Sequence, residues 1–232
     1  MREKETSNWK FIVELVALFV VVFAATAGLM TFVLSKDQVS GPSMEPGLMD
    51  KDRLFSLRHK QIKRNEIVVL YAPDKVSDKF LQQNGATDAD ISQHNGKLYF
   101  NGKVVPLKDH ELYIKRVIGM PGDTVSSKND KLYVNGKQQA EPYLKKSFIN
   151  KELQQYATIY GQNVSDMKFT NDFDLKTQAS THRSTVPKGS YFVMGDNRYV
   201  SHDGRAFGFI KKQNIQSVVV LRYWPLNKFK IY

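Results

Sequence analysis

The 232-residue chain has no cysteine, which removes disulfides, thiolate metal sites and cysteine nucleophiles together. A cysteine-dependent surface transpeptidase is excluded with them, although many exported domains also lack disulfides, so the absence does not fix the compartment. No phosphate-binding glycine loop is present, and the five histidines, His59, His94, His110, His182 and His202, show no ligand spacing. No metal, nucleotide or other cofactor is therefore expected. Acidic residues are the scarcer charge, 23 against 34 Lys and Arg, and the whole net excess of +11 lies in residues 36–232. Such a domain is drawn to polyanions, either nucleic acid or an acidic lipid surface.

Charge is also missing from Leu15 to Leu34, LVALFVVVFAATAGLMTFVL. Twenty helical residues rise about 30 Å, the thickness of a bilayer's hydrocarbon core. Trp9 sits where an interfacial anchor belongs. Ala25-Thr26-Ala27 resembles a leader-cleavage site, but the apolar run continues through Leu34, where a mature N-terminus would turn polar. The expected organisation is an N-terminal segment 1–10, a transmembrane helix 11–35 and a folded domain 36–232 on one side of the membrane. Three basic residues precede the span, and Lys36, Lys51 and Arg53 follow it, so charge bias leaves the orientation open.

Beyond residue 36 the pattern is mainly β. Glu66–Tyr71, Leu112–Ile118, Tyr191–Met194 and Ser217–Tyr223 are short, β-branched or aromatic, and bounded by turn formers. Asn101-Gly102 and Asn135-Gly136 each follow an apolar run and predict tight hairpins. The stretch 146–185 is polar and reads as an exposed excursion of loops or a short helix.

Four segments can carry chemistry. Ser40-Gly-Pro-Ser-Met-Glu-Pro-Gly-Leu48 holds Ser43 on a constrained turn that can present a hydroxyl and aim N–H groups at an oxyanion. In Tyr113-Ile-Lys-Arg-Val-Ile118, strand alternation puts Lys115 with Tyr113 and Val117 on one face and Arg116 with Ile114 and Ile118 on the other. A lysine buried there loses its charge more easily and can take a proton from an alcohol; the alternative is an edge strand kept soluble by two cations. Gly195–Gly208 is rich in turn residues, and its Asp196, Arg198, Asp203 and Arg205 predict a local ion-pair network near Ser201. Asn65–Leu70 reads as core strand. His202 is a neighbour of Ser201 rather than its base, because adjacent strand residues face opposite ways.

Taken in order, the apolar span, Ser43-Met-x-Pro, the Glu66-Ile-Val-Val strand, Lys115-Arg-Val-Ile-Gly-x-Pro-Gly-Asp123 and Gly195-Asp-Asn-Arg-x-x-Ser-x-Asp-x-Arg-x-x-Gly208 resemble the type I signal peptidases over nearly the whole chain. The resemblance implies a membrane-bound serine endopeptidase that removes signal peptides from exported preproteins, with Ser43 as nucleophile and Lys115 as general base. It implies that Ser201 orients the lysine and that Asp203 and Arg205 brace the site. Gly41 stands where some members place a serine that completes the oxyanion hole, as in the Gram-positive branch. Gly47, Gly204 and Glu66 also depart from the commoner residues. Met44, beside the nucleophile, is a candidate for lining a substrate pocket. The implied place is the cytoplasmic membrane, single-pass, with the catalytic domain outside.

Two alternatives remain at this point: another Ser–Lys peptidase, or a membrane-tethered binding protein without activity. The cluster Arg58, His59, Lys60, Lys63 and Arg64 lacks the interleaved aromatics of a nucleic-acid platform, which leaves an anionic bilayer as its expected partner; the resemblance implies preproteins as substrates. The sequence sets no oligomeric state.

Overall fold

The computed structural model describes residues 2–232, with side chains from Trp9 onward. The side chains of Arg2, Glu3, Lys4 and Glu5 lie outside the described residues. A helix, Arg2–Gly28, passes into a π-helical turn, Leu29–Val33, and the chain becomes extended at Leu34. Its segment Trp9–Val33 has a mean hydropathy of 2.5 and none of it is buried inside the protein. It is long and apolar enough to cross a membrane.

The strand Leu34–Gln38 follows with no intervening loop. It opens an eight-stranded sheet whose order continues through Arg53–Leu57, Ile215–Trp224, Ile67–Val76, His110–Gly119, Ser190–Met194 and Ile210–Lys211, with Lys230–Ile231 also pairing on Ile215–Trp224. Every pairing is antiparallel. The four β-branched runs named above are the centre of this sheet, because strands flanked on both edges bury both faces and need apolar side chains throughout. Two smaller antiparallel sheets carry the hairpins. Asn101-Gly102 and Asn135-Gly136 take positive φ at both positions, the backbone of a tight two-residue turn, and Asn95-Gly96 makes a third of the same kind.

The core divides into packed clusters. Val68, Leu70, Val117, Val193 and Val218 fill one side of the main sheet. Met44, Leu48, Leu54, Ile67 and Val69 fill another cluster directly beneath the Ser43 turn. A third, with Ile118, Val125, Leu132, Phe173, Leu175 and Phe192, joins the main sheet to the four-stranded one.

The segment 146–185 differs from a bare exposed excursion. Lys146–Tyr160 is a fifteen-residue helix that buries Glu152, Leu153 and Ala157, and Phe169, Phe173 and Leu175 beyond it are buried too. Its spaced apolar residues give it one face to pack, which its polar composition concealed.

Candidate active site

The Ser43 turn is tied down from both ends. The Gly41 N–H donates to Asp50 at 2.9 Å, and Glu45 donates to the Pro42 carbonyl at 3.0 Å. Below it, Met44 is fully buried among Leu48, Leu54 and Ile67, so its side chain supports the turn from the core instead of facing a cleft. Gly47 lies where a Cβ would stand 2.6 Å from the Asp196 carboxylate, which explains why a bulkier residue is absent.

Lys115 and Arg116 sit mid-strand between Ile67–Val76 and Ser190–Met194, not on a sheet edge. Both are buried, at 4% and 6% exposure. The edge-strand alternative fails on that position. Arg116 forms a two-pronged pair with Asp196, Nε to Oδ1 at 2.7 Å and Nη2 to Oδ2 at 2.6 Å, and also donates to the Asn65 carbonyl at 2.6 Å. The Tyr143 ring covers its guanidinium at 3.9 Å. Among the described residues Lys115 has no carboxylate partner. Its Nζ lies 3.1 Å from the Ser43 Oγ and 3.1 Å from the Ile114 carbonyl. Burial pulls the amine down to about 8, while the charges of Asp203 and Asp196 pull in the opposite direction without cancelling it.

The Gly195–Gly208 loop closes over this pair. Asn197 donates its N–H to the Ser43 carbonyl at 3.1 Å, and Ser201 donates its own to Asn197 at 3.1 Å. Gly195 is wedged between them: a Cβ there would stand 2.2 Å from the Ser201 hydroxyl and 2.5 Å from the Ser43 carbonyl. Asp203 is fully buried and accepts from the Gly195 N–H at 2.9 Å. Burial would raise its carboxyl, but the Arg205 guanidinium and the two backbone N–H groups hold it below the usual carboxylate range. Arg205 grips both oxygens of Asp203 and reaches the Arg198 carbonyl.

Of the expected residues, Ser43 and Lys115 are in contact, and Asp203 and Arg205 brace the loop beside them. Ser201 is adjacent, yet its buried hydroxyl has no hydrogen-bond partner and makes no contact with the Lys115 amine at bonding distance. Gly41 has its N–H engaged by Asp50. Asp203–Arg205 is the local ion pair of the anticipated network, and Arg198 and Arg205 also donate to the Gly195 and Arg198 carbonyls within the loop; Asp196 instead pairs across to Arg116, and Arg198 pairs with Glu141. His202 pairs with Asp74 and not with Ser201.

Three supports were not found from sequence. Glu152, in the 146–185 helix, accepts from the Asn197 amide at 2.9 Å. Glu141 and Thr170 hold the buried Arg198 guanidinium. Arg222 joins Asp52 at 2.9 Å to the Gly47 carbonyl at 3.1 Å.

A turn-borne alcohol facing a desolvated, unpaired amine on an antiparallel sheet is the arrangement of an acyl-transferring hydrolase with a lysine base. Residues 12–224 match the family model described as signal peptidase, peptidase S26. The chain is 34% identical to signal peptidase I of Bacillus caldolyticus over 98% of its own length and 96% of that protein's. It is 32% identical to signal peptidase IB of Staphylococcus aureus, over 98% of its own length and 94% of the relative's. A crystal structure of a signal peptidase I from Enterococcus faecalis V583 aligns with a TM-score of 0.44 at 29% identity, covering 68% of this chain and 97% of that one. The chain belongs to the signal peptidase family, peptidase S26, and is a serine endopeptidase.

Proposed function

We propose that this protein removes N-terminal signal peptides from exported preproteins with Ser43 and Lys115 as its dyad. The observation that carries the reading is the 3.1 Å contact between the Ser43 hydroxyl and a lysine amine without an acidic partner. Neutral Lys115 takes the hydroxyl proton as Ser43 Oγ attacks the scissile carbonyl. The resulting ammonium then protonates the leaving amine, and the freed lysine activates the water that hydrolyses the acyl-enzyme.

The Ser43 N–H points its charge at the developing oxyanion, as preorganised backbone donors do. Gly41 cannot add its own N–H while Asp50 holds it. Ser201, whose buried hydroxyl is free, supplies a hydrogen bond that orients the amine during turnover. Asp203 and Arg205 hold the loop that carries it.

The protein is anchored in the cytoplasmic membrane by the Trp9–Val33 segment, with residues 36–232 outside as the catalytic domain and 1–10 inside. Its basic surface faces anionic lipid. Wild type, Ser43→Ala and Lys115→Ala, each solubilised in detergent, are compared on one preprotein by gel. Loss of cleavage in both variants supports the dyad; full-rate cleavage by either one rejects it.

A further inference from the structure

Away from the Ser43–Lys115 pair, a cavity of about 740 Å³ opens between the end of the Arg53–Leu57 strand and the start of Ile215–Trp224. Its lining includes Arg58, Lys60, Lys188, Lys211 and Lys212 and no carboxylate. Lys60 is neutralised by Glu66 at 2.7 Å, which leaves the other four cations unpaired among the described residues. A concave site with one sign of charge concentrates anions.

Two buried groups in the lining lack partners among the described residues. Ser217 is 1% exposed, and its hydroxyl makes no hydrogen bond. The Nε of Arg58 is likewise buried and unpartnered. Buried donors left unsatisfied are costly and mark a place where an acceptor fits.

The cavity's place in the chain selects the anion. The Arg58 N–H donates to the Val33 carbonyl at 2.9 Å, at the last residue of the apolar helix. Arg58 also lines a smaller hollow, of about 280 Å³, with Met30, Leu34, Ser35 and Lys36. The cationic lining thus begins where the apolar helix ends, at headgroup depth, and Leu29, Phe32 and Val33 stay exposed beside that exit.

From this juxtaposition we infer that the cavity binds the phosphodiester headgroup of an anionic glycerophospholipid, with Arg58 and Ser217 donating to phosphate oxygens and the lysines supplying the field. Nucleic acid is the poorer fit, since His59 is the one ring in the lining and no Phe, Tyr or Trp joins it to make a platform on which successive bases stack. The inference rests on Trp9–Val33 crossing the membrane. It does not rest on the dyad, so its test uses binding and no substrate.

The full chain in neutral detergent micelles is titrated with phosphatidylglycerol, and bound lipid is counted by native mass spectrometry. A Lys188→Gln, Lys211→Gln, Lys212→Gln variant is compared with Lys128→Gln, Lys137→Gln, Lys176→Gln, which removes equal charge from exposed sites outside the cavity. Saturation at one lipid per chain is expected, weakened about tenfold in the first variant and little in the second. Ser217→Ala, at unchanged charge, should weaken it several-fold even if the triple variant misfolds. Equal weakening in both triple variants overturns the site, as does no effect of Ser217→Ala. Tighter binding of inorganic phosphate than of the lipid, or displacement of the lipid by an RNA oligonucleotide, reassigns the occupant and overturns the lipid inference.

Discussion

Titrating the cleavage rate perturbs the Ser43–Lys115 pair without altering a single side chain. Burial lowers the Lys115 amine from 10.5 to about 8. If only the neutral amine accepts the serine proton, about half of the enzyme is competent at pH 8, about a tenth at pH 7 and about a hundredth at pH 6. At the ordinary lysine value the competent fraction at pH 7 would be about three in ten thousand. Burial therefore raises the working population about 300-fold, the equivalent of about 3 kcal/mol. The assay is kcat/KM for one preprotein between about pH 5 and about pH 10 at fixed ionic strength, where the pKa of the free enzyme appears. A decade of rate should be lost per pH unit below the inflection, with a plateau above it. A rate that stays level down to about pH 5 refutes the assignment of Lys115 as base.

The same burial has a stability side. Between about pH 8 and about pH 10.5 the unfolded chain keeps a proton that the folded chain has lost, so this group makes stability rise with pH across that window. At pH 7 the charged amine costs the fold about 3 kcal/mol, and Lys115→Met should abolish cleavage yet raise Tm; a lowered Tm would contradict the desolvated amine. Gly195→Ala drives a methyl into Ser201 and the Ser43 carbonyl, so kcat should fall at least about 100-fold with a loss of about 1–3 kcal/mol in urea unfolding. Asp196→Ala leaves the buried Arg116 guanidinium uncompensated and should cost about 3–5 kcal/mol by the same measurement. Glu152→Ala removes the acceptor of the Asn197 amide, and a cost of about 1–3 kcal/mol together with a lower kcat is expected.

The central strands were legible because their β-branched runs leave little other choice, and the Asn-Gly turns because both central residues need positive φ. Asn95-Gly96 carries the same signal, but Gln93 and His94 before it are polar and weaken the strand pattern. Ser43 and Lys115 were legible only as members of an ordered set of motifs. Neither residue's neighbourhood marks it alone. The partners of Arg116 and Arg198 were not legible: the loop's charges look complementary to each other in sequence, while folding turns Asp196 to a strand 80 positions away and Arg198 to Glu141. The role of 146–185 was hidden for a similar reason. Phe148, Glu152, Leu153 and Ala157 do recur at helical spacing, but a buried glutamate reads as a surface residue until its Asn197 partner is in place.

The joint at Val33–Leu34 contains no loop. Helix passes to paired strand within one residue, and the Arg58 N–H clasps the last turn, so the whole sheet is geared to the tilt of the apolar helix. Eight residues then lead from Leu34 to Ser43, most of them in strand or in the pinned turn. With that helix across the bilayer, as proposed above, the scissile bond would be met at a fixed height, and the enzyme would act as a gauge of how far a client chain has emerged. Inserting a flexible Gly-Ser segment after Leu34 should blur the position of the cut while leaving the chemistry at Ser43 intact.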